Sequence, residues 1–179
     1  MSSLERLTHL VAPPPAVAYD RPWEWTEERM GRRLPQEFKD LVATYGGGSF
    51  DDHLGLLVPP PARTGSEIAE YDDDRMNELH GLWAITGNRP VALGGDDRML
   101  VAWADTVDAD TVNWLVSPGR PADQWPVAVL DADLGECEVY AMGCTDFLAG
   151  LLSGAIASPI LSPHLSTGPH TFRPYPLAA

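Results

Sequence analysis

The chain has few cysteines and no long apolar run, and each shortage excludes a class of protein. Only Cys137 and Cys144 are cysteines, too few for the disulfide framework of a small secreted domain and without partners at metal-ligand spacing. We expect both to be buried thiols. The apolar runs are much shorter than the roughly 20 residues that cross a bilayer. The N-terminus also lacks a basic segment followed by an apolar stretch, which predicts no export signal and a cytoplasmic location.

Basic residues are scarce as well. The chain has 12 lysines and arginines against 26 aspartates and glutamates, a formal net charge of −14. Residues 46–153 contain 19 of these acids and only five of the bases. Such a charge distribution repels nucleic-acid phosphates and anionic lipids, and it attracts cationic proteins. The composition therefore predicts no nucleic-acid or membrane partner, and it leaves two interpretations: a basic protein partner, or acidity that only maintains solubility.

The length predicts one domain with a short extension at each end, because 179 residues leave little room for two cores. We assign residues 1–19 to an N-terminal helix and proline-rich linker, and residues 20–154 to the domain. Residues 155–179 form a proline-rich tail without hydrophobic periodicity, which we expect to be either loose or strapped onto the domain.

Apolar spacing and capping residues predict five helices. The first ends before Pro13, and the second ends at Gly31. Pro35 suits the first position of the third helix, and Gly46 provides its left-handed cap. The predicted helical segments are 4–11, 23–30, 35–45, 66–82 and a last helix from about Thr145 to Gly154.

Short β-type runs separated by turn residues follow the fourth helix and predict an antiparallel meander. An extended segment over 50–58 precedes them. The predicted strands are Trp83–Thr86, Pro90–Leu93, Met99–Ala104, Thr111–Val116, Val127–Leu130 and Glu138–Tyr140. The last helix has an apolar face that should cover one side of this sheet.

Motifs that suggest chemistry have simpler explanations here. Consecutive aspartates at 72–74 point in different directions on a helix, and the aspartates near positions 105–110 and 131–136 lack the spacing of a calcium loop. The glycines at 46–48 follow a helix, whereas phosphate-binding loops precede one. The five histidines are scattered along the chain. We therefore predict no metal, no cofactor and no catalytic residue, unless the fold brings His53 or His80 against a serine and a carboxylate in a cleft.

Taken in order, these elements resemble the SUKH superfamily, in particular its branch of Smi/Knr-type cell-wall regulators. The similarity covers about residues 20–154, and the residues that carry it are Trp25, Leu34, Pro35, Phe38, Tyr45, Gly46, Gly48, Phe50, Trp83, Trp103, Trp114, Trp125, Pro126, Val127, Phe147, Leu148 and Gly154. The resemblance implies an α+β fold with helices packed on one curved antiparallel sheet. The N-terminal helix, the triple-proline linkers and the tail depart from the family pattern.

The resemblance also implies a function without catalysis. Bacterial members are mainly immunity proteins that bind and block a polymorphic toxin, while fungal members are regulatory adaptors. We expect an immunity protein that occludes a basic toxin, with an adaptor and an enzyme as the alternatives. The carboxylates expected to contact the partner are Glu67, Glu70, Asp72, Asp73, Asp74, Asp96, Asp97, Asp108 and Asp110.

Overall fold

The computed structural model describes residues 1–17, 23–59, 68–95 and 97–176, and for residues 69–77 it describes only the backbone. Within these ranges the helices are α1 (Ser3–Leu10), α2 (Trp23–Met30), α3 (Gln36–Tyr45), α4 (Ile68–Thr86) and α5 (Cys144–Leu152). The strands are β1 (Gly48–Phe50), β2 (Leu54–Leu56), β3 (Met99–Thr106), β4 (Thr111–Val116), β5 (Val127–Leu130), β6 (Cys137–Tyr140) and β7 (Phe172–Pro174). The predicted α+β fold is confirmed: helices pack on one curved antiparallel sheet.

Four helices lie close to where their spacing predicts them. Ser2 caps α1 in a capping box, because its hydroxyl accepts a hydrogen bond from the Glu5 amide and the Glu5 carboxylate accepts one from the Ser2 amide. Gly31 and Gly46 end α2 and α3 with φ values of 63° and 75°, which glycine adopts without a Cβ penalty. Pro35 is the capping residue before α3 and not its first helical residue.

The extended segment predicted over 50–58 is wrong in its middle. A turn over 51–53 separates β1 from β2, so the two strands form an antiparallel hairpin. Asp51 and Asp52 both have positive φ, at 52° and 55°. Aspartate tolerates this left-handed region better than most residues, because its short carboxylate bonds to nearby backbone.

The strands predicted over 83–86 and 90–93 are also wrong. The first is the end of α4, and residues 91–93 form a 3₁₀ turn. Leu79 and Trp83 are both buried, and a spacing of four places them on one helical face. Tertiary packing of this face keeps the chain helical until Gly87, whose φ of 69° ends the helix.

The sheet is a meander with a core on each face. Its strand order is β6-β5-β4-β3-β2-β1-β7, with neighbours antiparallel. Helices α1, α3 and α5 cover the main core, where Phe38 contacts the rings of Trp103 and Trp114. Leu115, next to Trp114, points the other way into a second core covered by α4. Among the described residues, no helix combines the length and apolar character needed to cross a bilayer.

The C-terminal segment is strapped onto the domain, one of the two outcomes predicted for the tail. Strand β7 pairs with β1 at the edge of the sheet. Before this strand, the Glu138 carboxylate accepts hydrogen bonds from the Ser158 hydroxyl and the Ile160 amide, at 2.6 and 3.0 Å. The Asp51 carboxylate accepts one from the Thr171 amide at 2.9 Å. Carboxylates on the domain thus fasten successive parts of the tail.

Candidate functional site

The carboxylates predicted to contact a partner do not form one cluster. Glu67 and Asp96 lie outside the described residues, and positions 70 and 72–74 lie on α4, where only the backbone is described. Asp97 and Asp108 are both exposed, but one precedes β3 and the other follows it. A strand of eight residues separates such positions by about 26 Å. The two turns therefore lie near opposite ends of β3 and do not form one compact acidic cluster.

Asp110 is buried, and its carboxylate is used inside the hairpin between β3 and β4. One oxygen accepts a hydrogen bond from the Thr106 hydroxyl, and the other accepts one from the Ala132 amide, both at 3.0 Å. The Thr106 hydroxyl in turn accepts a hydrogen bond from the Asp110 amide. These bonds leave Asp110 holding two turns together, in place of the partner contact expected from the sequence.

Helix α4 carries one stripe that is acidic at its start and apolar at its end. Positions 70, 74, 78, 82 and 85 recur at the three- and four-residue spacing that places residues on one side of a helix. Glu78 is exposed, and so are Leu82 and Ile85. Ile85 is 86% exposed, an unusual position for isoleucine.

A further exposed apolar residue, Val91, lies in the 3₁₀ turn after α4 and is 95% exposed. Leu93 of the same turn is buried beside Trp83 in the second core. Helix α4 and the turn after it thus have exposed apolar side chains as well as those buried in the second core. We call Leu82, Ile85 and Val91 the outer patch. Asp97 lies just before β3, near the end of that strand where Leu100 joins the second core.

At the opposite end of β3, two histidines and an aspartate come together. The His53 and His164 rings are stacked, with centroids 5.1 Å apart and planes 11° apart. Asp108 Oδ2 lies 3.9 Å from His53 Nδ1 and 3.6 Å from His164 Nδ1. Burial lowers the pKa of His53, and His164 lowers it further, while nearby carboxylates oppose the shift. Sequence spacing missed this cluster because its members lie in three separate loops.

A cleft of about 400 Å³ lies beside the cluster, over the ends of β1, β2 and β3. Its lining includes Ser49, His53, Gly55, Asp105 and Tyr175. Burial raises the pKa of Asp105 to about 6. Gly55 gives the Tyr175 hydroxyl room to approach the backbone, because a Cβ at this position would overlap it.

The cleft thus contains a serine, a histidine and a carboxylate, the combination that would favour an enzyme. In the part of the chain that the structure describes, however, no hydrogen bond joins Ser49 to His53, and neither ring nitrogen of His53 makes a hydrogen bond. A serine nucleophile needs a base within hydrogen-bond reach. The arrangement therefore does not support an activated serine, and the absence of catalysis stays a prediction.

Both cysteines are free thiols; Cys144 is buried as predicted, whereas the prediction is wrong for Cys137, which is only partly buried. Burial raises the pKa of Cys137 to about 11, and it raises that of the fully buried Cys144 well above its usual value. Because the thiolate is the reactive form, neither residue is suited to nucleophilic or redox chemistry at neutral pH.

No protein-family model, curated protein or solved structure matches the chain. The SUKH resemblance therefore stays a prediction. The geometry leaves two features that suggest interaction, which are the acidic and apolar stripe of α4 and the histidine–aspartate cluster.

Proposed function

We propose that this chain is an immunity protein of the SUKH type, which binds a basic, cytoplasm-acting polymorphic toxin and neutralises it by occlusion. One observation carries the proposal: a single stripe of α4 joins acidic positions 70, 74 and 78 to the exposed apolar side chains of Leu82 and Ile85. Charged side chains beside an apolar centre are the usual composition of a protein–protein interface.

The charge of the domain supports a cationic partner. Residues 46–153 have a surplus of 14 negative charges, and the acidic half of α4 lies within this part of the chain. A field of this sign increases the rate at which a basic surface is encountered, and salt screens it. Complementary charge also disfavours acidic proteins as competitors.

The outer patch supports slow dissociation of the complex. Exposed charge pairs contribute little to affinity, because water and salt screen them. Apolar side chains that become fully buried at the centre of an interface contribute much more. Ile85 and Val91 are almost fully exposed in the free chain, so each has a large apolar area to bury. We infer that the α4 carboxylates orient the toxin and that the outer patch sets the lifetime of the complex.

The decisive experiment is co-expression with the toxin domain encoded by a neighbouring gene. We expect the chain to restore growth and to co-purify with the toxin. Ile85→Asp should weaken binding at least tenfold, because it places a charge in the apolar centre. Val107→Asp is the matched control, since Val107, like Ile85, is an exposed β-branched residue, but it lies in the turn after β3. Growth that is equally poor with and without this chain would refute the immunity function.

The electrostatic part needs its own comparison. Glu78→Lys should slow association and reduce its dependence on ionic strength, whereas Asp133→Lys makes the same charge change in the exposed turn after β5. The association rate constant of each variant is measured by stopped flow at several salt concentrations, and the two salt dependences are compared. Equal effects would show that only net charge matters and that α4 is not the contact face.

A further inference from the structure

The cluster of His53, Asp108 and His164 joins three parts of the chain that are distant in sequence. His53 lies in the turn between β1 and β2, and Asp108 lies in the turn between β3 and β4. His164 lies in the 3₁₀ turn of the C-terminal segment. One ligand atom from each residue comes within 4.8 Å of the other two.

The ligand set indicates which cation would fit. Two imidazole nitrogens and one carboxylate oxygen suit zinc and neighbouring transition metals, whereas calcium and magnesium prefer oxygen ligands alone. In a tetrahedral zinc site with bonds of about 2.0–2.1 Å, ligand atoms lie roughly 3.3 Å apart. The distances of 3.6 and 3.9 Å from Asp108 Oδ2 are close to this spacing. An imidazole binds a metal in the plane of its ring, so the His164 ring, which is stacked on His53, would have to turn to share an ion with it. The side chains of Asp108 and His164 are 56% and 48% exposed, which leaves them room for this movement.

His53 supplies a second, independent observation. The residue is buried, and its Nε2 has no hydrogen-bond partner among the described residues. No described residue bonds to its Nδ1 either; the Asp108 oxygen at 3.9 Å is too distant for a hydrogen bond. A buried imidazole without hydrogen bonds is costly. A metal ion at Nδ1 would satisfy one of these two nitrogens.

The surrounding charge also favours a cation. Asp51, Asp108 and Asp110 all exert a negative potential on the His53 ring. Asp51 and Asp110 accept hydrogen bonds from the backbone amides of Thr171 and Ala132, which lie in other segments of the chain, so they would act as fixed negative charges around the site. The Asp108 carboxylate differs from these two, because it is half-exposed and makes no hydrogen bond in the described part of the chain. It also faces both histidines.

We propose that His53, Asp108 and His164 bind one divalent transition-metal ion of the zinc class. The ion would join the C-terminal segment to the turns after β1 and β3, because each ligand comes from a different one of these parts. Three protein ligands leave a fourth position for water or for a group from another molecule. This inference is independent of the proposed toxin-binding face on α4, which includes none of these three residues.

The test uses the full chain without a histidine tag, freed of metal with EDTA, and Zn²⁺ as the probe. Competition with a chromophoric chelator should show one Zn²⁺ per chain. His164→Ala and Asp108→Asn should each weaken binding at least tenfold, and both residues are exposed enough to be replaced without disturbing the core. His9→Ala is the matched control, since His9 is an exposed histidine on α1. It should bind Zn²⁺ as the unchanged chain does.

A second measurement tests the joining of the three segments. Zn²⁺ should raise the melting temperature of the unchanged chain and of His9→Ala, and it should have no effect on His164→Ala. Co²⁺ should give the visible absorption bands of a four- or five-coordinate site with nitrogen and oxygen ligands. These bands should be absent in His164→Ala. The proposal is overturned if the unchanged chain binds no Zn²⁺, or if it binds Zn²⁺ and both ligand variants bind equally well.

Discussion

The carboxylate of Glu37 on α3 accepts a hydrogen bond from the backbone amide of Cys144, the first residue of α5, at 2.6 Å. Its other oxygen accepts one from the Thr145 hydroxyl, also at 2.6 Å. The residue before α5, Gly143, makes no side-chain cap of its own. A side chain from a neighbouring helix therefore replaces the local cap, and its negative charge lies at the positive end of α5.

Replacing Glu37 with alanine should destabilise the fold by about 1–3 kcal/mol, because the α5 amides and Thr145 lose their acceptor. Urea unfolding of the variant measures this loss. Glu28→Ala is the control, since Glu28 is an exposed glutamate on α2, and its effect should stay within about 0.5 kcal/mol. Equal effects of the two substitutions would show that the cap does not contribute to stability.

Gly143→Ala should be at least as harmful. A Cβ at position 143 would overlap the Glu37 carboxylate, so the two helices must separate or the cap must break. We expect a loss of about 2 kcal/mol or more. Gly135→Ala provides the comparison, because no atom of a described residue, apart from its two chain neighbours, lies within 4 Å of the added Cβ there. A Gly143 variant as stable as the Gly135 variant would contradict the close contact.

Asp105 should make stability depend on pH. Its pKa is about 6 in the folded chain, against an ordinary value of 3.8, because burial disfavours the charged form. The folded state therefore binds its proton more tightly than the unfolded state does. Protonation of Asp105 therefore stabilises the folded state. This stabilisation is fully present below about pH 4, falls between about pH 4 and 6, and is absent above that range.

Asp105→Asn removes this pH dependence. At pH 7.5 the variant should be more stable than the unchanged chain by about 3 kcal/mol, and at pH 4 the two should be nearly equal. Urea unfolding at both pH values provides the measurement. Asp133→Asn, an exposed carboxylate in a turn, should show no such difference. Destabilisation by Asp105→Asn at pH 7.5 would mean that the carboxylate is needed in its ionised form.

Asp51 should hold the C-terminal segment in place. Its carboxylate accepts hydrogen bonds from the amides of Ser166 and Thr171 and contacts His170 Nδ1 at 2.7 Å. Asp51→Ala should increase hydrogen exchange over residues 166–174 and destabilise the fold by about 1–3 kcal/mol. Asp52→Ala is a matched neighbour, because Asp52 has the same left-handed backbone, and within the described residues its carboxylate makes only an exposed ion pair with Arg173 worth about 0–1 kcal/mol. Unchanged exchange in Asp51→Ala would contradict this role.

Elements that depend on local sequence were predictable, and elements that depend on distant contacts were not. The apolar spacing and capping glycine of α3 suffice to locate it, and β3, β4, β5 and β6 lie close to their predicted bounds. Trp83 looks like a strand residue locally, yet packing against the second core keeps it helical. The turn at Asp51 depends on left-handed backbone at two aspartates, which the surrounding sequence does not require.

The candidate sites follow the same division. The acidity of α4 is visible in the sequence, and so is its spacing, but the exposure of Ile85 and Val91 depends on which helical face the second core takes. The grouping of His53, Asp108 and His164 depends on sheet order and on the path of the C-terminal segment. The sequence predicts that Asp110 contacts a partner because it lies in an acidic turn. Its carboxylate instead bonds to the turns themselves, a use that aspartate often has and that the sequence does not distinguish from partner binding.

The pairing of β7 with β1 has a consequence for the solubility of shortened forms. Without residues 172–174, the Gly48–Phe50 strand would present unpaired amides and carbonyls along the margin of the sheet, and such a margin recruits strands from other molecules. Pro174 stands on the outermost strand, where a missing amide discourages further pairing. A chain cut at residue 154 should therefore self-associate, so work on the isolated domain is best done with the last strand retained.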